Sequence, residues 1–189
     1  MKKLRIPMVI SLCGTLLACG SPELRYGSIG SSAMPERVSV NYARIEVTSV
    51  TLPVYAESEA IYTRDASGAI TPLGPLWTDD PDRALTLQIA RELKGITGQL
   101  TAPEPWPFRN APDVRVDVRL EVFHATSFGT FRIAGVVFVA PETYGPDRAG
   151  KFAFEVAVAK TENPAAAIAI ARTAAVRELS YFIARWGLR

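Results

Sequence analysis

VRVDVRLEVFHATSFGTFRIAGVVFVAPETYGPDRAGKFAFEVAVAK, residues 114–160, decides the fold. Its first ten residues place Val114, Val116, Val118, Leu120 and Val122 on one face of an extended chain and Arg115, Asp117, Arg119 and Glu121 on the other. Successive side chains of a strand point to opposite faces, so Val114 to Phe123 reads as a strand with one side in a core and one in water. Thr130 to Ala140 (TFRIAGVVFVA) is apolar on both faces after Arg132, which predicts a strand lying deeper in the sheet. Lys151 to Lys160 brings Phe152, Phe154, Val156 and Val158 into phase. Together the three predict an antiparallel meander.

Downstream, Asn163-Pro164 pairs a capping residue with a proline and starts a helix to about Trp186. Its apolar stripe is Ile168, Ala171, Ala175, Leu179, Phe182 and Trp186, and Arg172 interrupts the run too early for a membrane span. Upstream of the meander, Asp80-Pro81 repeats the cap signal. Leu85, Ile89, Leu93 and Ile96 then recur at helical spacing until Gly95 or Gly98 stops them. Thr101 to Asp113, with four prolines around Trp106 and Phe108, reads as a loop too apolar to be a simple spacer. Nearer the amino terminus, Val38 to Leu52 alternates as a half-buried strand with a change of phase near Tyr42 to Ile45, and Pro53 ends it. Ala60 to Arg64 and Ala69 to Leu73 bracket Asp65-Ala66-Ser67-Gly68 as a hairpin, closed by Pro72, Gly74 and Pro75. This order predicts a single α/β domain over 38–189: a mixed, largely antiparallel sheet with two main helices packed on one face.

The first residues carry a different signal. Lys2, Lys3 and Arg5 precede an apolar run, Ile6 to Ala18, too short to span a bilayer, and the run ends in Leu16-Leu17-Ala18-Cys19. This reads as a lipoprotein signal peptide, 1–18, cleaved so that Cys19 becomes the first mature residue and is acylated. Two or three acyl chains, at about 0.8 kcal/mol per buried methylene, hold a protein on a membrane far better than one chain does. Lipoproteins with Asp directly after the Cys stay in the inner membrane. Here Gly20 and Ser21 follow, which points to the periplasmic face of the outer membrane. Residues 19–37, rich in Gly, Ser and Pro, read as a flexible tether with a short strand near Tyr26 and a reach of about 25 Å.

Several classes of function drop out. Without Lys2, Lys3 and Arg5 the chain has 18 basic residues against 19 acidic, and no basic stripe with interleaved aromatics remains for nucleic acid. Cys13 leaves with the signal and Cys19 is blocked, so the domain offers no disulfide and no thiolate. The one histidine, His124, stands at the end of a strand with no spaced ligands and no motif for a nucleophile around it. Asp79, Asp80 and Asp82 sit at a helix start, where the helix dipole accounts for them. No catalytic residue, metal site or cofactor is expected, and the protein is expected not to be an enzyme. Trp77, Trp106 and Phe108 are open between core packing and a lipid or partner surface.

With these motifs laid out, the chain resembles the ABC-type transport auxiliary lipoproteins, the PqiC-like family. The resemblance is carried by the Cys19 box, by IEVTSVTLPVYAESEAIYTRD at 45–65 with its Leu52-Pro53-x-Tyr55 turn, and by PLWTDDPDRALTLQIARELKGITG at 75–98. The meander and the Ala-rich terminal helix follow in order. The resemblance implies a non-catalytic periplasmic component of an intermembrane lipid transport system, lipid-anchored at the outer membrane. There it would cap or dock an MCE-domain protein anchored in the inner membrane, with a homo-oligomeric ring as one arrangement. Tyr55 joins Trp77, Trp106 and Phe108 as candidates for a partner surface. The rival reading is an outer-membrane lipoprotein that activates or stabilises an envelope-building enzyme or a membrane protein.

Overall fold

The computed structural model describes residues 23–27 and 35–189. The signal segment 1–18, Cys19 and the greater part of the segment read as tether lie outside the described residues. Among the described residues, the strands are β1 (Arg25–Tyr26), β2 (Arg44–Val47), β3 (Ala60–Arg64), β4 (Ile70–Trp77), β5 (Leu100–Pro103), β6 (Val114–Thr126), β7 (Thr130–Pro141) and β8 (Arg148–Ala157). The helices are α1 (Pro81–Thr97) and α2 (Pro164–Phe182), the latter running into a π-helical turn at Ile183–Gly187.

The expected meander is the spine of the sheet. β6 and β7 pair antiparallel from Val114 opposite Pro141 to Ala125 opposite Phe131, and β7 pairs with β8 from Thr130 opposite Ala157 to Val139 opposite Arg148. The other edge of β6 is divided. Its first part carries β2 in parallel, Ile45 opposite Val114, with β5 parallel to β2 beyond it. Its last part carries β3 in parallel, Thr63 opposite Ala125, then β4 antiparallel to β3 and finally β1 parallel to the end of β4. One mixed sheet therefore bears two short wings on a long central strand, and the three antiparallel pairings make up most of its ladder.

Alternation along β6 breaks at one point. Leu120 lies opposite Gly135 and Val122 opposite Ala134, so Glu121 is an extra residue in a bulge. The extra residue turns Phe123 and Ala125 into the core and leaves Val122 half-buried, which corrects the expectation that Val122 continues the core face. Gly135 belongs to the same device, because a β-carbon there would run into the Arg119 carbonyl.

α1 starts at Pro81 as expected, but the Asp80 side chain makes no capping bond; instead Asp79 accepts from the Asp80 N–H at 3.0 Å. Leu85, Ile89, Leu93 and Ile96 are buried, and Gly98, with φ +74°, closes the helix by donating to the Lys94 carbonyl. α2 is capped by Asn163, which accepts from the Ala166 N–H at 3.1 Å. Its alanines let α1 come close, and Gln88 Nε2 donates to the Thr173 carbonyl at 3.2 Å. α1 packs on α2, β2 and β5, and α2 packs on β7 and β8. No described helix is long and apolar enough to cross a membrane.

Three further expectations change. Val38–Leu52 is not one strand: only Arg44–Val47 forms a regular ladder. Residues 48–51 follow β6 irregularly, with Thr48 and Thr51 donating to Val116 and Val118 at 3.0 Å each. β4 continues through Pro72 and Pro75 to Trp77 rather than stopping there, because only β1 flanks its far side and prolines are tolerated at an edge. The proline-rich stretch begins with a strand, Leu100–Pro103, before it becomes a loop.

Candidate functional site

The Leu52-Pro53-x-Tyr55 turn lies where the two wings meet. After Pro53 the chain makes a single 3-10 turn, Val54–Ala56, which directs the Tyr55 ring inward. Here the edge of β6 lacks a strand partner: Leu120 still donates to Thr51, and pairing resumes at Ala125 with Thr63. The Tyr55 hydroxyl fills the gap by accepting the Phe123 N–H at 2.9 Å. Its ring meets Tyr62 edge-on at 5.7 Å and lies tilted to His124 at 6.4 Å. Burial raises its phenol pKa above the ordinary value, so the hydroxyl keeps its proton. Tyr55 is thus a peg between the wings rather than part of an open surface.

His124 is buried beneath that ring. Its Nδ1–H donates to the Ala125 carbonyl at 2.9 Å, and burial lowers its pKa, with Arg64 and Arg132 adding to the effect. The imidazole is therefore neutral at pH 7. It packs against an aromatic ring and a carbonyl, and no hydroxyl nucleophile or carboxylate is hydrogen-bonded to it among the described residues.

Trp77 is 2% exposed, which places it in the core and corrects its candidacy for a partner surface. It packs on Phe123 at 6.2 Å between ring centres, and the Arg172 guanidinium lies over its ring at 4.5 Å. In the sequence Arg172 shows only as a charge that breaks an apolar run. It is 1% exposed, its Nε has no hydrogen-bond partner, and burial lowers its pKa to about 10 against the opposing pull of Asp79.

Trp106 and Phe108 form a separate pair on the loop before β6, edge to face at 5.1 Å, with Trp106 Nε1 donating to the Asn110 carbonyl at 2.7 Å. Phe108 is 44% exposed. The four aromatic candidates therefore do not converge: Trp77 is inside, Tyr55 is half-buried between the wings, and Trp106 and Phe108 are on a loop. Asp79 is engaged with Arg83, and among the described residues no group of three or more His, Cys, Asp or Glu is placed to hold a metal ion.

One end of the molecule has features that sequence reasoning missed. The β3–β4 turn, the β6–β7 turn and the link from β8 to α2 come together there around Phe128, which is 77% exposed. On one side of Phe128 is an open cleft of about 480 Å³ lined by Leu73, Ala125, Val158, Pro164 and Ile168. A smaller cleft of about 280 Å³ on its other side presents Arg64, Arg132 and Glu155. The signal available in the sequence was a phenylalanine in Ser127-Phe128-Gly129, a turn where polar residues are usual.

Comparison with known proteins adds to this geometry. A family model described as ABC-type transport auxiliary lipoprotein component matches residues 28–184. A solved structure titled only as an uncharacterized protein shares 16% identity, with a TM-score of 0.63 over 86% of this chain and 96% of that one. Another, a Xanthomonas campestris protein of the family DUF330, shares 17% identity with a TM-score of 0.61, covering 88% of this chain and 92% of that one. No curated protein matches the chain significantly. At these identities the two structures establish the fold alone.

Proposed function

The chain belongs to the family of ABC-type transport auxiliary lipoprotein components, and from that premise we propose that it is the lipid-anchored, non-catalytic docking subunit of an intermembrane lipid transport system. It is acylated at Cys19, stands at the periplasmic face of the outer membrane, and caps or docks an MCE-domain protein reaching across from the inner membrane. It acts as a single copy or as a ring of copies. The observation that carries this reading is the family match over residues 28–184, directly downstream of Leu16-Leu17-Ala18-Cys19.

The absence of catalysis is part of the proposal, and the setting of His124 supports it. A general base must reach the proton it removes, whereas this imidazole is sealed under Tyr55 and spends its Nδ1–H on a backbone carbonyl. The test is affinity isolation of the acylated protein from crosslinked cells. Recovery of an MCE-domain protein supports docking; recovery only of a cell-wall synthase or an outer-membrane barrel supports the rival, an activator or stabiliser of envelope-building machinery.

A further inference from the structure

The described chain enters the sheet within a few residues, in sequence, of Cys19. Arg25 and Tyr26 form β1 in register with Leu76 and Trp77, and Leu76 donates its N–H to the Leu24 carbonyl at 2.9 Å. Arg25 pairs with Glu59 at 2.8 Å, and Asn163 Nδ2 donates to the Tyr26 hydroxyl at 2.8 Å, so β1 is clamped on two sides. The leash between Cys19 and the sheet is therefore only about five residues, against the roughly twenty taken for a tether with a reach of about 25 Å. Leu24 is five residues from Cys19, and five residues in any conformation span at most about 18 Å.

Direction follows from the register. β4 runs from the 65–68 turn towards Trp77, and β1 is parallel to it, so Glu23 and Leu24 enter β1 from the side of that turn. β4 takes about 17 Å to travel from Pro75 to Ile70, which matches the leash. Cys19 can therefore reach the end of the domain that carries the β3–β4 and β6–β7 turns. β1 lies level with the middle of β6, so the opposite end, at the β7–β8 turn, is about 25 Å from Leu24, beyond the limit of about 18 Å.

The tethered end also carries exposed apolar side chains. Phe128 projects from a turn closed by the Gly129 N–H on the Thr126 carbonyl at 3.1 Å, a turn that needs no aromatic residue. Ile70 and Leu73 are exposed on β4, and Leu24, 56% exposed, lies where the leash begins. The charges there nearly balance: Arg64, Arg132 and Lys160 stand against Asp65 and Glu155, one positive charge in excess, and Glu155 pairs with Arg132 at 3.5 Å.

We propose that this end seats on the bilayer that receives the Cys19 acyl chains, with Phe128 at the level of the lipid headgroups. The inference rests on the acylation proposed above. A leash this short raises the effective concentration of the surface, so a few side chains suffice for a contact that would be weak for a free domain. The near-balanced charge makes the seating independent of anionic lipid, and it leaves the β7–β8 end pointing into the periplasm.

Site-directed spin labelling tests it on the acylated protein in phosphatidylcholine vesicles, since the mature chain has no thiol besides Cys19. Nitroxides are placed singly at Ser127→Cys and at Thr143→Cys, in the β6–β7 and β7–β8 turns. The expected result is an oxygen-to-nickel collision ratio severalfold higher at 127 than at 143, reduced when Phe128→Ser is added to the Ser127→Cys protein. A protein that floats with vesicles while position 127 is as aqueous as 143 overturns this inference and leaves the anchor standing. A protein that does not float overturns the anchor and the inference together.

Discussion

Replacing Tyr55 by phenylalanine removes one oxygen and nothing else, at the point where the two wings of the sheet meet. The hydroxyl accepts the Phe123 N–H at 2.9 Å, Phe123 is buried, and no strand covers that position on the edge of β6 away from β7. Leaving a buried donor without its partner costs about 1–3 kcal/mol. In a domain of this size that lowers the melting temperature by roughly 2–12 °C. Tyr55→Leu should lose more, because the edge-on contact with Tyr62 and the cover over His124 go as well. Thermal unfolding by circular dichroism gives the magnitude, and hydrogen exchange gives the place: the Phe123 amide should exchange faster in Tyr55→Phe, with amides of β7 little changed. A melting temperature within about 1 °C of the parent, with Phe123 equally protected, would refute the idea that this hydroxyl closes the gap in the sheet.

Gly135→Ala should destabilise by about 1–3 kcal/mol or more, since the methyl meets the Arg119 carbonyl beside the Glu121 bulge; denaturant titration checks it, and a neutral result would contradict the bulge geometry. His124 is held below the ordinary imidazole pKa by burial, so the folded chain binds that proton less well than the unfolded one. Its contribution is full above about pH 6.5 and is lost as the pH falls through that value towards the lowered folded pKa. His124→Gln should flatten the stability profile between about pH 7 and 5, and parallel profiles for parent and variant would oppose this. Arg172→Met removes a buried cation whose Nε has no partner, so unfolding free energy should be unchanged or higher. A loss above about 2 kcal/mol would mean that the contact with Trp77 outweighs desolvation.

The meander, both helices and the hairpin were legible because they depend on local period and local caps. Val114, Val116 and Val118 alternate over one continuous strand, and Asn163-Pro164 carries its own start signal. What was not legible depends on pairing between distant segments. Glu121 looks like the next outward residue until Gly135, fourteen positions on, shows where the extra residue is absorbed. β5 hides among prolines because its ladder is made entirely with β2, more than fifty residues earlier. The candidate aromatics illustrate the same limit. Nothing local distinguishes Trp77, packed under Arg172, from Phe108 on its loop, since both are apolar residues near prolines and only the tertiary fold decides which is covered. Tyr55 was legible as part of a motif, but its role as acceptor for the Phe123 N–H required knowing that β6 has an uncovered stretch. Phe128 is illegible for the opposite reason: its turn is ordinary, and its exposure has meaning only beside the short leash that β1 imposes.

Intact-mass analysis of the protein isolated from its native envelope tests the central claim most directly. The account predicts a chain beginning at Cys19 and heavier than the bare polypeptide by a thioether-linked diacylglycerol and an amide-linked fatty acid. An amino terminus without acyl groups, whether at Cys19 or elsewhere, would contradict it.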